Sequence, residues 1–429
     1  MWATAWVSSL VPLGFVGLGA FAGFGLAALL LAPEAGVVVL ILFHFVPTDQ
    51  FAIGGLFAAF TALAVARAAF AYATRGANAL YGLPLVPALA FFFWVVGWGA
   101  VGPERDVSET MHSAVLIGEA VLAMTATLLV CADQRATRYV VTAWVLAGAG
   151  ALVIAASHYF IQDTALRAAA HALPQEALDS EVVNFFGRTG YDVRRIVWPG
   201  LTPNGHSANL AMPFAMAASL AVACWSDRRR ILFALAAAAC GVAILGTYSK
   251  TGLLIAVVTL VFVAVLHRGR SLPAAFAAAV PVALAVAYLP AVLAQARLIP
   301  EAAASGASGR FDAWRDATAM WLASPLVGAG PGAFINQSGM QVHNTYVELL
   351  AETGLVGLLL FLGVLLPSVR IPRTAATRAA AFGLFVTLLH MASISLTSYC
   401  LLWIGAGVLA AGAAQRAGGT GQPSREART

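Results

Sequence analysis

Uncharged apolar runs of about 20 residues recur along this chain from one end to the other, and no other feature limits its fold more. A helix of that length matches the ~30 Å hydrocarbon core of a bilayer. In hydrocarbon the backbone must satisfy its own polar groups, and a helix does so within one segment. The 429 residues are 61% hydrophobic and 10% charged, more apolar than a soluble core requires. The expected class is an all-α polytopic membrane protein with little chain left for a soluble domain. The first apolar run has no basic flank and continues into further spans, so a cleaved leader is not expected.

Spans are expected near residues 5–31, 36–46, 51–72, 79–100, 111–131, 139–160, 208–225, 231–248, 252–267, 272–292, 344–367, 379–395 and 398–414. The run 36–46 is short and stops at Pro47 and Asp49, so about 12 crossings are expected, one either way. The basic stretches SDRRR (226–230), HRGR (267–270) and VRIPRTAATR (369–378), with Arg75, Arg135, Arg138 and the tail, then fall on one side. An excess of Lys and Arg marks that side as cytoplasmic. The segments are N-terminal helices (1–160), a first large outer loop (161–207), central helices (208–292), a second large outer loop (293–343), C-terminal helices (344–414) and a cytoplasmic tail (415–429). The formal charge of +5 does not point to nucleic acid, because topology accounts for many of the basic residues. Cys131, Cys224, Cys240 and Cys400 form no CxxC pair and read as small buried hydrophobes.

The unusual polar residues share the outer side. GRTGYDVRRIVWPGLTPNGHSAN (187–209) carries Arg188, Arg194, Arg195, Asn204, His206 and Asn209. Its arginines are either solvated loop residues or an anion site, since the guanidinium fork suits phosphate. Lys250, in TYSKTGL, either snorkels to the interface or adds a second cation to the same cleft. In 308–334, Phe311, Trp314, Thr318, Trp321 and Leu322 share a helical stripe, which predicts a short helix lying in the interface.

The stretch QVHNTYVELLAETGLVG (341–357) begins a span. Thr345 and Glu348 match a capping box, which would give Glu348 a structural task. Glu352 lies a turn deeper and should face a partner or a wet cavity. Gly354 and Gly357 allow another helix to approach. His343 sits at the helix mouth, where partial positive charge and free N–H donors favour anions and where an imidazole can accept a proton. It is either an interfacial structural histidine or a base.

No nucleotide motif, DxD pair or His/Cys cluster is present in the sequence, so no cofactor or metal is expected. A reaction on the outer side then needs a substrate that arrives already activated, and a lipid-linked diphosphate sugar meets that need. Cations would neutralise the departing pyrophosphate while a base deprotonates the acceptor hydroxyl. A transporter is the competing class, but its usual mark, charge in mid-span, is scarce.

The series R-x-x-x-W-P-G, P-N-x-x-x-A, Y-S-K-T-G, G-R-x-x-x-W, P-L-V-G-x-G-P-G-x-F and H-N-T-Y-x-E-x-L-A-E-T-G-L-V-G, over roughly 185–365, resembles the O-antigen ligase and polymerase superfamily. Those are multi-span glycosyltransferases of the GT-C type in the bacterial inner membrane. The resemblance implies an active site facing the periplasm, an undecaprenyl-diphosphate-linked glycan as donor, and lipid A–core or a second lipid-linked glycan as acceptor. It implies that His343 is the essential histidine, with Glu348 or Glu352 as alternative bases. Arg195 matches the arginine before the P-N segment, with Arg194 and Arg188 as rival alignments. Lys250 stands where the family usually has arginine. Arg310 matches the G-R pair and would hold the loop or the sugar, and Asn344 and Tyr346 belong to the same motif as His343. Ligation is favoured slightly over polymerisation of O-antigen or exopolysaccharide, and a third relative, less favoured here, transfers glycans to protein.

Overall fold

The computed structural model describes residues 32–43, 54–74, 84–102, 107–170, 203–223, 228–247, 249–266, 308–366, 374–395 and 399–418. Among them every regular element is helical: α1 (Pro33–Phe43), α2 (Gly54–Thr74), α3 (Leu85–Val101), α4 (Val107–Val130), α5 (Gln134–Ala170), α6 (Pro203–Ala223), α7 (Arg229–Gly246), α8 (Lys250–Leu266), α9 (Ser308–Ala323), α10 (Ala333–Ser338), α11 (Thr345–Leu365), α12 (Ala375–His390) with a 3-10 turn (Met391–Ser393), and α13 (Cys400–Gly418). Five helical segments are long and apolar enough to cross a membrane: Val107–Val130, Gln134–Val153, Arg229–Gly246, Thr345–Leu365 and Ala375–Ser393. The expected runs 5–31 and 272–292 lie outside the described residues. The helix expected over 139–160 continues to Ala170, so ten residues assigned to the first loop are helical.

The bundle is organised around α6. His206 through Val222 are buried without a break, and α5, α7, α8 and α12 pack against it. A helix covered on all faces needs no polar stripe, which is why α6 reads as apolar all round below its first turns. The same core extends to α3, α11 and α13, where Phe91, Phe361 and Trp403 meet with ring centroids 5.8–6.2 Å apart. Tilted aromatic packing of this kind is favourable beyond its buried area.

The two ends of the bundle differ in chemistry. At one end Gln415 Nε2 donates to the carbonyls of Cys131 and Ala132, at 2.7 and 3.1 Å. Thr374 and Thr377 cap α12 reciprocally. Arg135, Arg138, Arg228, Arg229, Arg230 and Arg378 belong to the helix ends gathered here. The opposite end carries Asn204, Ser249, Asn344 and His390. Glu119 stands halfway along α4, close enough to Cys400 to act on it electrostatically. It is a mid-span carboxylate, of the kind scarce in this sequence.

Candidate functional site

The polar end is built from α11 outward. Its cap is Asn344, whose side-chain oxygen accepts from the N–H groups of Tyr346 (3.1 Å) and Val347 (3.3 Å). The capping box expected from Thr345 and Glu348 does not form. The Thr345 hydroxyl donates instead to the Ile394 carbonyl at 2.6 Å, and its N–H reaches the same oxygen. Asn344 is the better cap, because its short amide reaches two free donors at once. Tyr346 is also engaged, its hydroxyl donating to Leu388 O at 2.8 Å.

His343 precedes the cap with φ 54°, and among the described residues no other non-glycine residue has a positive φ. That conformation costs roughly 1–2 kcal/mol for a residue bearing Cβ, and it turns the imidazole out of the helix line. The ring is half-buried. Burial first, then the nearby Arg310 guanidinium, holds its pKa below the ordinary histidine value. The imidazole is therefore neutral at neutral pH and carries a lone pair. Trp314 of α9 donates to the Val342 carbonyl at 2.9 Å, so the helix that carries Arg310 lies beside His343, near enough for its charge to act on the imidazole.

About two and a half turns into the span, α11 is broken. Gly354 adopts φ 66° and ψ −170°, which removes the usual partners of neighbouring backbone groups. The segment PLVGAG (325–330) replaces them. Ala329 and Gly330 donate to the carbonyls of Ala351 and Glu352, both at 2.9 Å, while Leu355 and Val356 donate to Pro325 and Leu326 at 3.0 and 3.1 Å. Trp94 Nε1 takes the Thr353 carbonyl at 3.0 Å, and Trp98 Nε1 the Gly328 carbonyl at 3.2 Å. A Cβ on Gly354 would run into the Leu326 carbonyl, and one on Gly328 (φ +74°) into the Glu352 backbone. The glycine-rich loop fills the helix break.

The carboxylates follow from this clamp. Glu352 accepts from the N–H groups of Gly332 and Phe334 at the start of α10, so the deep carboxylate has the partner expected of it. Glu109 lies against Gly332 and near Glu352. Glu348 stands beside Ser395, yet its Oε2 and the Ser395 Oγ are buried without a hydrogen bond.

Helix α9 forms as expected, and the face that packs on the protein is formed largely by residues outside the expected stripe. Ala313 and Ala317 are buried, with Trp314 and Met320, against Phe334, Val342 and Ala351, and Trp314 Nε1 donates to Val342 O at 2.9 Å. Thr318 and Leu322 of the expected stripe are exposed.

A second polar cluster lies where α6, α8 and α12 end. Ser249 Oγ donates to Asn204 Oδ1 at 2.7 Å, and Ser207 Oγ stands 2.9 Å from Asn204 O, 3.2 Å from Ser249 Oγ and 3.5 Å from His390 Nε2. His206 is buried beside it, and Lys250 opens α8 as its first residue. Arg188, Arg194 and Arg195 lie outside the described residues. Ser207, Ser249 and His390 were missed in the sequence. The available signal was a histidine closing an apolar run, TLLHMAS, on the same side as His343.

No curated protein matches the chain. The model of the family described as O-Antigen ligase matches residues 233–362, a stretch holding Lys250, Arg310, His343, Glu348 and Glu352, and this similarity supports the O-antigen ligase superfamily.

Proposed function

We propose that the protein is a glycosyltransferase of the bacterial inner membrane. It moves a glycan from undecaprenyl diphosphate to an acceptor hydroxyl on the periplasmic face, most simply as a ligase with lipid A–core as acceptor. About 12 spans in a GT-C type arrangement, the arginine-rich end in the cytoplasm, set the polar end of the bundle outward, and membrane lipids surround it. What carries this reading is the pairing at the mouth of α11 of a neutral, half-exposed His343 with the Arg310 guanidinium.

In this account the acceptor oxygen attacks the anomeric carbon as His343 takes its proton. The bond from that carbon to the phosphate oxygen breaks, and the electron pair leaves on the lipid pyrophosphate. Arg310, Lys250 and the arginines at 188, 194 and 195 neutralise that charge. Asn204 and His206 line the donor side, and Asn344 and Tyr346 fix the strand that presents His343. Glu352, occupied by two backbone donors, serves the fold, which leaves Glu348 as the alternative base. No metal is assigned a step.

The test is the glycan profile of cells lacking the protein. The expected result is full-length polymer held on undecaprenyl diphosphate beside bare lipid A–core. Single repeat units on the carrier or on the core would assign the protein as a polymerase. A profile unchanged from wild type would overturn both.

A further inference from the structure

We infer that His390, acting through Ser207 and Ser249, is a positioning residue that holds the Lys250 end of α8 in register with His343. The inference rests on the reading above and adds to it a residue outside the sequence motifs. His390 is fully buried at the end of an apolar helix, and its Nδ1 makes no hydrogen bond. A buried imidazole is costly unless it is used, and the polar group beside its other nitrogen is Ser207. With its hydrogen on Nε2, His390 donates to the Ser207 oxygen, whose own hydrogen goes to the Asn204 carbonyl.

From Ser207 the network reaches α8 through Asn204, whose carbonyl takes the Ser207 hydrogen and whose Oδ1 takes that of Ser249. Ser249 Oγ accepts the Gly252 N–H at 3.1 Å, which caps that helix, and donates to Asn204 at 2.7 Å. A Cβ on Gly252 would lie 2.6 Å from Ser207 Cβ. At so close an approach, movement at Ser207 passes to the first turn of α8 and hence to Lys250. In the other direction the chain leaves His390 through the 3-10 turn, pinned by Ser393 Oγ on the His390 carbonyl at 2.9 Å. It then presents the Ile394 carbonyl to Thr345, two residues beyond His343. One histidine therefore stands between the backbone of a cation proposed for the pyrophosphate and the backbone of the proposed base. An error of about 1 Å between such groups can cost on the order of 100-fold in rate.

The full-length protein, reconstituted with lipid-linked glycan extracted from cells lacking it, tests this. His390→Ala and Ser207→Ala are each expected to lower kcat about 10- to 100-fold while donor KM stays within about threefold. His390→Gln, which keeps a donor near Nε2, should recover most of the loss. The double variant should be no worse than His390→Ala alone, because the two residues act as a unit. If His390→Ala does not accumulate, Ser207→Ala and His390→Gln decide the matter. Unchanged kcat in Ser207→Ala with His343→Ala inactive would overturn the inference alone, as would a loss that tracks unfolding temperature and is not relieved by glutamine. Undiminished transfer by His343→Ala would overturn the proposed function itself.

Discussion

The backbone N–H of Gly330 donates to the Glu352 carbonyl at 2.9 Å, across a break in a helix that belongs to the membrane. An interrupted span is tolerated where protein satisfies the released groups. Here the 325–330 segment and Trp94 do so for three successive carbonyls, those of Ala351, Glu352 and Thr353. The break holds the outer half of α11, and with it Glu348 and the His343 turn, apart from the straight course of the span.

Substitution of Gly354 is the first consequence. Gly354→Ala forces a Cβ into the left-handed region at about 1–2 kcal/mol and into the Leu326 carbonyl besides. A marked fall in the unfolding temperature of the purified protein is expected. Gly150→Ala, where a Cβ meets nothing, should be neutral or slightly stabilising. Equal effects at the two positions would refute the clamp.

Trp98→Phe and Trp94→Phe each remove a donor from a backbone carbonyl. The expected cost is about 1–3 kcal/mol apiece, since each carbonyl loses its partner. Thermal unfolding in detergent reads it directly, and no measurable loss would show that water or lipid replaces these bonds.

The pH dependence of transfer follows from the neighbourhood of His343. Its folded pKa is lowered by burial and by Arg310, so the base is already free at mildly acidic pH. Arg310→Gln removes a positive charge, lets the imidazole hold its proton to higher pH, and should shift the acidic limb of kcat/KM upward. A limb that stays in place or moves down contradicts the assignment of His343 as base.

Asn344 offers a separation of structure from chemistry. Asn344→Ala should cost about 1 kcal/mol through loss of the α11 cap, whereas Asn344→Asp keeps the acceptor oxygen and the stability. If the aspartate variant folds fully but transfers poorly, the amide nitrogen contributes to the site. If both functions survive, Asn344 is a cap alone.

Much of this architecture was legible in the residues, and the limits have physical causes. Apolar runs locate α4, α6 to α8 and α11 to α13 to within about five residues, because hydrocarbon demands both length and apolarity. The helix break was not legible. Gly354 in TGLVG reads equally as a contact surface for another helix, and only the distant PLVGAG segment turns it into an interruption. The choice of Asn344 over Thr345 as cap depended on the Ile394 carbonyl, 49 positions away. His390 and Ser207, 183 positions apart, had no local signal joining them. His343 and Arg310 were each visible as motif residues, but their proximity was not.

The account stands or falls on transfer by the protein itself. With lipid-linked glycan and acceptor lipid supplied in liposomes, the wild-type protein should release undecaprenyl diphosphate in step with glycan joined to the acceptor. His343→Ala, folded and inserted to the same extent, should do neither. Stoichiometric transfer by His343→Ala would contradict the central claim.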